Sequence, residues 1–413
     1  MFKLETLLSN IYNTNGFYQN IIEACNIINP LDIKQYPILT RKQLQENRHK
    51  MFSDGYKTDY IYQRLMFQKS SGTSGIPVNI YWEEGDYYRS MMPLWRRRFR
   101  YYGVLPTDRH VKFTLPAFGV NAFSDELYSL TDNNILTINC SSLYNEEMFF
   151  KAIRLIENFQ PVWLYIQPFI LNRLVSCYMK NGILPPASLK LVESVGEVLP
   201  DYLKQRASNF FNVPLANMYG SEEMNGIAYE CPFHRMHVLD DNVLVECLVD
   251  DDIVSNGEGV AILTNLNNYA MPLIRYNQGD IISINTNGII DCLCGISSPV
   301  ISTIKGRVHE CVSKNGFEIS SLLLCEVVAD VNNQLGDVIK EYKHIYSESA
   351  NELCCYIVLE EKAVPWASTI KSQLKEAFIS KVPTNIDISY VIHQADAFLT
   401  DFNRKTISFE RIQ

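Results

Sequence analysis

Two groups of residues in this chain have the types and spacing to do chemistry. The first is Ser70-Ser71-Gly72-Thr73-Ser74-Gly75, which packs hydroxyl side chains and two glycines into six residues, between Leu65-Met66-Phe67 and Val78-Asn79-Ile80-Tyr81-Trp82. The flanking apolar runs read as strands, so the segment between them is a loop of accessible backbone N–H groups with nothing bulky in the way, suited to wrapping a polyphosphate. It is neither a Walker loop, whose lysine is missing, nor a dinucleotide fingerprint. The second group is Cys231, His234, His237 and Cys292-Leu293-Cys294. If Cys292 and Cys294 lie on a strand they face the same way and present both sulfurs to one ion. Cys231 with His237 or His234 would then complete the tetrahedral set that Zn²⁺ takes in a closed site. Four protein ligands leave no open position, which makes such an ion structural.

Further along the chain, in order, stand Asn217-Met218-Tyr219-Gly220-Ser221-Glu222-Glu223, Ile274-Arg275-Tyr276-Asn277-Gln278-Gly279-Asp280, Lys305-Gly306-Arg307 and Asn403-Arg404-Lys405. With the Ser/Thr/Gly loop these segments resemble the ordered motif set of the adenylate-forming (acyl-CoA synthetase) superfamily. The length, and Gly196-Glu197 ahead of the Tyr219 motif, bring the chain nearest to its phenylacetate-CoA ligase and CapK branch. The resemblance runs over residues 65–410.

It implies a role for each motif in joining a carboxylate to the α-phosphate of ATP, where two anions must be neutralised and aligned. The loop that Ser70 opens would hold the β- and γ-phosphates through N–H groups and the Ser71, Thr73 and Ser74 hydroxyls. In the Tyr219-Gly220-Ser221 motif the ring would flank adenine and the acyl pocket, and Glu223 would hold Mg²⁺ between phosphates. Gly196 and Glu197 would sit near the purine. Asp280 would accept the two ribose hydroxyls, and Arg307 would reach ribose or phosphate at a hinge. Lys405 would come in on a small mobile domain to bridge carboxylate and α-phosphate oxygens. Part of the branch carries a similar pattern of Cys, His and paired Cys. Four positions depart from the pattern: Ile76 replaces the lysine after the second loop glycine, Glu222 a Thr/Ser, His309 an acidic hinge residue and Arg404 a glycine.

The activity implied is an ATP-dependent, AMP-forming ligase that activates a carboxylic acid, aromatic by first choice, as acyl-AMP and passes the acyl group to coenzyme A. Trp95, Phe118, Phe123 and Tyr219 could line the acid's pocket. Two alternatives are transfer to an amine or hydroxyl, as in CapK-like polysaccharide chemistry, and a nucleotide-binding protein that has lost catalysis. Expected partners are the acid, ATP, coenzyme A or another acyl acceptor, and a second copy of the chain in a homodimer.

These residues need a scaffold. At 413 residues the chain exceeds one ordinary core, and two domains are expected: a large one over residues 1–306 and a small lid over 307–413. Residues 111–220 alternate apolar runs with helical stretches, which argues a mostly parallel, doubly wound α/β sheet with ligands at strand ends. After residue 220 the texture changes to short strands and tight turns, with an acidic loop at Asp250–Gly259 and hairpin signals at Asn287-Gly288 and Asn315-Gly316. The stretch 339–413 reads as a small α+β lid. Ahead of all this, Thr40 starts a helix, and residues 83–102 form another with a broad apolar face and Arg96, Arg97, Arg98 and Arg100 on a solvated one. With 37 basic and 46 acidic side chains, a net charge of −9 and no basic block, nucleic acid and anionic membrane are not expected partners. No basic-then-apolar leader opens the chain and no apolar run approaches ~20 residues, so a cytoplasmic protein is expected. Eleven scattered cysteines read as reduced thiols, not a disulfide framework.

Overall fold

The computed structural model describes residues 2–70, 78–114, 127–131, 134–285, 292–395 and 409–412. Packing divides the chain into two units, Met1–Pro106 with Ala216–Thr303, and Thr107–Leu215 with Ile304–Gln413.

The first unit is a mainly antiparallel sheet faced by helices. Its strands run in the order Asp252–Val254, Val243–Val249, Gly257–Asn265, Tyr276–Asn285, Val300–Arg307, Met236–Val238, Asn225–Glu230, Leu215–Ser221. The acidic stretch expected as a loop is instead a hairpin, because Asp250 takes a left-handed turn and Asp252–Val254 pairs back on Cys247–Val249. The N-terminal leader belongs to this unit. Leu7, Leu8, Ile11, Tyr18 and Ile22 pack with Leu266 and Ile274, and the Tyr18 hydroxyl donates to the Pro272 carbonyl at 3.0 Å. Buried Arg275 ties the leader down further, donating to the carbonyls of Lys34 and Tyr36 while it grips Glu246 through Nε and Nη2. The helix Glu84–Tyr102 ends at Gly103 in the left-handed region, as expected of an amphipathic segment with a glycine stop. Its arginine face is not wholly solvated: Arg98 is buried with its guanidinium 4.3 Å from the Trp95 ring centroid, a stacking that spacing alone does not reveal.

The second unit contains the parallel strands. Leu191–Val195, Trp163–Ile166, His110–Thr114 and Ile135–Asn139 lie side by side in parallel, with Tyr128–Thr131 antiparallel at the edge. Helices Glu146–Phe159, Pro168–Lys180 and Asp201–Phe211 connect and cover them, their apolar stripes (Phe149, Ile153, Leu171, Leu174, Leu203) forming the core with Val111, Leu164 and Val192. The C-terminal part has the expected α+β form. An Asn315-Gly316 hairpin precedes the helix Ser321–Leu335, and a four-stranded sheet follows in the order Ser389–Gln394, Glu352–Leu359, Ile339–Ser347, Phe409–Ile412. Within the same unit Arg173 meets Glu341 at 2.7 Å, both side chains almost without exposure.

His344, on a central strand of this small sheet, is fully buried with Nε2 3.0 Å from the Tyr390 hydroxyl, and burial pushes its imidazole down to about 3 from 6.5. The unfolded chain therefore takes up a proton that the folded one refuses. Stability is complete above pH ~6.5 and falls as pH drops toward ~3, by at most about 1.4 kcal/mol per pH unit from this group. Urea unfolding at pH 7 and pH 5 should show that loss in the native protein and a smaller one in His344→Gln; equal losses would rule the histidine out as the cause. All eleven cysteines are free thiols. Among the described helices none is long and apolar enough to cross a membrane.

Candidate functional site

The loop opens from a true hairpin. Met66–Lys69 pairs antiparallel with Asn79–Trp82, and Ser70 and Val78 close the neck: Ser70 N–H donates to the Val78 carbonyl at 3.0 Å, and Val78 N–H donates to Ser70 Oγ at 2.9 Å. Ser71, Gly72, Thr73, Ser74, Gly75 and Ile76 lie outside the described residues, as do the Asn287-Gly288 turn, Phe118, Phe123, Arg404 and Lys405.

The Tyr219 motif ends a strand, where an α/β sheet presents ligand-facing groups. Gly220 is there for space: a Cβ would stand 2.5 Å from the Asn225 carbonyl oxygen, so only glycine lets the chain fold back into Asn225–Glu230. In the turn that follows, Glu222 points outward and Glu223 inward, with 3% of its side chain exposed. Glu222, the departure that would set charge beside an α-phosphate, is exposed and near Tyr87, whose phenol is pushed up by burial first and by Glu222 second.

Tyr276, Gln278 and Asp280 are alternate residues of Tyr276–Asn285 and all three are buried on one face. That face meets the Tyr219 turn. The Tyr219 hydroxyl donates to Asp280 Oδ2 at 2.7 Å, Gln278 Nε2 donates to the same oxygen at 2.6 Å, and Ser221 Oγ donates to Gln278 Oε1 at 3.0 Å. Tyr276 donates to Glu223 Oε1 at 3.3 Å, and Arg41 reaches the same oxygen at 3.3 Å while donating to Ser70 Oγ at 2.6 Å. Tyr219, Ser221, Glu223, Asp280 and Ser70 are thus brought together within the first unit, as a carboxylate and hydroxyl surface with one arginine. Such a surface can accept ribose hydroxyls at Asp280 and bind a phosphate-bound cation at Glu223.

Gln278, Tyr276 and Arg41 were not foreseen. The period of two from Asp280 would have flagged Gln278 and Tyr276. Nothing local flags Arg41, which lies 182 residues from Glu223.

Gly196, Glu197 and Arg307 belong to the second unit. Gly196 follows the parallel strand Leu191–Val195 in a left-handed conformation, and Glu197 Oε2 accepts from Phe169 N–H at 3.4 Å. Arg307 ends the strand Val300–Arg307 after Gly306, whose φ of 112° lies where glycine is favoured.

The cysteine-histidine group assembles in the first unit. Donor atoms of Cys231, His237, Cys292 and Cys294 all lie within 4.8 Å of one another. Cys231 Sγ is 3.7 Å from Cys292 Sγ, and Cys294 Sγ is 3.3 Å from His237 Nε2. Around an ion with ~2.3 Å bonds to sulfur and ~2.0 Å to nitrogen, tetrahedral geometry requires ~3.5–3.8 Å between donors, a spacing that the Cys231–Cys292 pair meets and the Cys294–His237 pair approaches. His237 takes the place and His234 does not, since His234 turns outward with 73% of its side chain exposed, beside Glu230. One expectation is corrected. Cys292 and Cys294 sit on a turn closed by Gly295 N–H to the Cys292 carbonyl at 2.8 Å, not on a strand, and it is the turn that aims both sulfurs inward. Burial raises the Cys231 thiol to about 12 and pushes His237 down, leaving its imidazole neutral, the form that ligates a metal. Burial raises the Cys294 thiol too, but contacts from Tyr101 and Cys292 outweigh it and the net direction is down.

No family model matches the chain. In sequence it is similar to phenylacetate-coenzyme A ligase of Thermus thermophilus, 26% identical over 178 residues (41% of this chain, 39% of that protein). It is also similar to phenylacetate-coenzyme A ligase of Pseudomonas putida, 23% identical over 304 residues (70% and 64%). The matched stretch thus spans less than two thirds of either relative. Among solved structures, 2-hydroxyisobutyryl-CoA ligase in the postadenylation state aligns with a TM-score of 0.76 at 15% identity, over 99% of this chain and 88% of that one. An anthranilate CoA ligase bound to anthranoyl-AMP aligns at 0.58 and 14%, over 82% and 65%. An amide bond synthetase from Marinactinospora thermotolerans aligns at 0.51 and 12%, over 83% and 66%. The fold is that of the adenylate-forming CoA ligases, and the sequence relatives support membership of the adenylate-forming (acyl-CoA synthetase) superfamily.

Proposed function

We propose that the chain is an ATP-dependent, AMP-forming ligase. A carboxylate oxygen of the acid attacks the α-phosphorus of ATP, pyrophosphate leaves, and an acyl-adenylate remains. The thiol of coenzyme A then attacks the acyl carbon and AMP leaves. The observation that carries this reading is the convergence of segments up to about two hundred residues apart on the strand Tyr276–Asn285, in two hydrogen-bonded groups, Tyr219 with Asp280 and Gln278, and Tyr276 with Glu223, Arg41 and Ser70. Asp280 would hold ribose, with Tyr219 and Gln278 fixing its orientation. Glu223 fits a magnesium ion, since its bonds from Arg41 and Tyr276 both fall on Oε1 and leave Oε2 to the metal. That ion would neutralise the pyrophosphate as it departs. We assign residues 307–413 to a lid turning about 306–310, supported by the glycine at 306 with its φ of 112°; the Arg173–Glu341 pair would then belong to one position of the lid and part in the other.

An aromatic acid is our first choice of substrate, because the sequence relatives are phenylacetate-coenzyme A ligases. Transfer to an amine is the second reading, favoured by the likeness to an amide bond synthetase. Pyrophosphate release across a panel of aromatic and aliphatic carboxylates tests the first step, and coenzyme A against amines, offered to the acyl-adenylate so formed, tests the second. ATP binding without release from any acid would point to a protein that has lost catalysis.

Cys231, His237, Cys292 and Cys294 would hold one structural zinc. About one zinc per chain is expected by elemental analysis. Cys292→Ser should lose the metal and a stability on the order of several kcal/mol. Full stability in metal-free protein would remove zinc from this account.

A further inference from the structure

Residues 70–77, Ser-Ser-Gly-Thr-Ser-Gly-Ile-Pro, contain no cationic side chain. A loop of N–H groups and hydroxyls can orient a triphosphate but supplies no full positive charge against it. Lys69 precedes the loop, yet strand alternation puts it on the face opposite Gln68 and Ser70. Gln68 lies on the side of the Tyr219 turn, with Nε2 3.5 Å from Asn225 Oδ1.

Among the described residues, a positive charge reaches the loop neck from elsewhere in the chain. Arg41 bonds Ser70 Oγ at the loop neck through Nη2 and Glu223 Oε1 through Nη1, with 14% of its side chain exposed. Its backbone is held from both sides. Leu39 pairs with the strand that carries Tyr276 and Asp280, its N–H donating to the Arg275 carbonyl and its carbonyl accepting from Asn277 N–H, each at 2.9 Å. Thr40 and Gln43 form a reciprocal capping box that fixes the following turn. A planar guanidinium held between the loop neck and the magnesium-binding carboxylate is the group that matches paired phosphate oxygens.

We infer that Arg41 is a phosphate-binding residue of the nucleotide site, supplying from the N-terminal leader the cation that the 70–77 segment lacks. This rests on the nucleotide reading of the site given above. Ser70 and Glu223 hold the guanidinium in place, so that it meets the β- or γ-phosphate without first being ordered.

The test compares two probes by calorimetry, Mg·ATP and adenosine, on the native chain and its variants. The native protein is expected to bind both, Mg·ATP more tightly. Arg41→Ala should weaken Mg·ATP about 10- to 100-fold and leave adenosine unchanged, because only phosphate contacts are lost. Equal weakening of both probes, or of neither, overturns the assignment, the first outcome making Arg41 only a prop of the fold. Should Arg41→Ala fail to fold, Arg41→Gln and Arg41→Lys give the same comparison, with Gln weak for Mg·ATP and Lys intermediate; equal affinity in the two overturns it. If the native protein binds neither probe, the nucleotide reading itself falls, and this assignment with it.

Discussion

Replacing Lys405 by alanine is expected to slow acyl-adenylate formation roughly 10²- to 10³-fold while ATP affinity changes by no more than about 2-fold. The two anions repel most strongly as the carboxylate oxygen closes on the α-phosphorus, and if Lys405 is carried by the proposed lid, its cation acts on that crowded state, not on bound ATP. An interaction made only in the transition state lowers kcat without altering ground-state binding. Single-turnover pyrophosphate release gives the rate, and calorimetry with Mg·ATP gives the affinity. Acyl-AMP supplied ready-made should still pass its acyl group to coenzyme A in the variant. A loss of ATP affinity as large as the loss of rate would make Lys405 a nucleotide-binding residue and remove it from the chemistry.

The second large effect concerns stability. Glu341→Gln should cost about 3–5 kcal/mol, because it takes the nearest opposite charge from the Arg173 guanidinium in a place with almost no water. Arg173 Nη1 lies 2.7 Å from Glu341 Oε1 with side-chain exposures of 4% and 1%. Burial pulls the arginine down from its ordinary range and Glu341 works against that pull. The guanidinium also sits 4.9 Å from the centre of the Phe149 ring. Removing both charges should be far milder than removing one: Arg173→Met with Glu341→Leu should recover most of the loss, since two apolar side chains need no partner there. Urea denaturation of the single and double variants measures this directly. A single variant as stable as the native chain would show that water reaches the pair.

Much of the scaffold was legible in the order of residues. The strands on either side of the Ser70 loop, the four parallel strands of residues 110–195, the Asn315-Gly316 hairpin and the C-terminal α+β pattern are all written in local periodicity and turn chemistry, which act within a few residues. The placement of Tyr219 at a strand end follows from the same pattern. The partnership of Tyr276, Gln278 and Asp280 was present as a period of two, although only Asp280 was picked out. The acidic hairpin at 252–254 was missed because three residues of weak strand character pair only when the neighbouring strand is already in place.

By itself, then, the sequence determined the succession of strands and helices and the chemical kinds of residue at their ends, because backbone preference and apolar spacing are short-range. Only the tertiary structure decided that Arg41 reaches Glu223 and Ser70, that His237 and not His234 joins the cysteines, that a turn aims Cys292 and Cys294, and that Arg173 is buried against Glu341. Each of these depends on the geometry by which distant segments meet. A side chain's type says what it can bond to, but the fold alone says what stands within 3 Å of it.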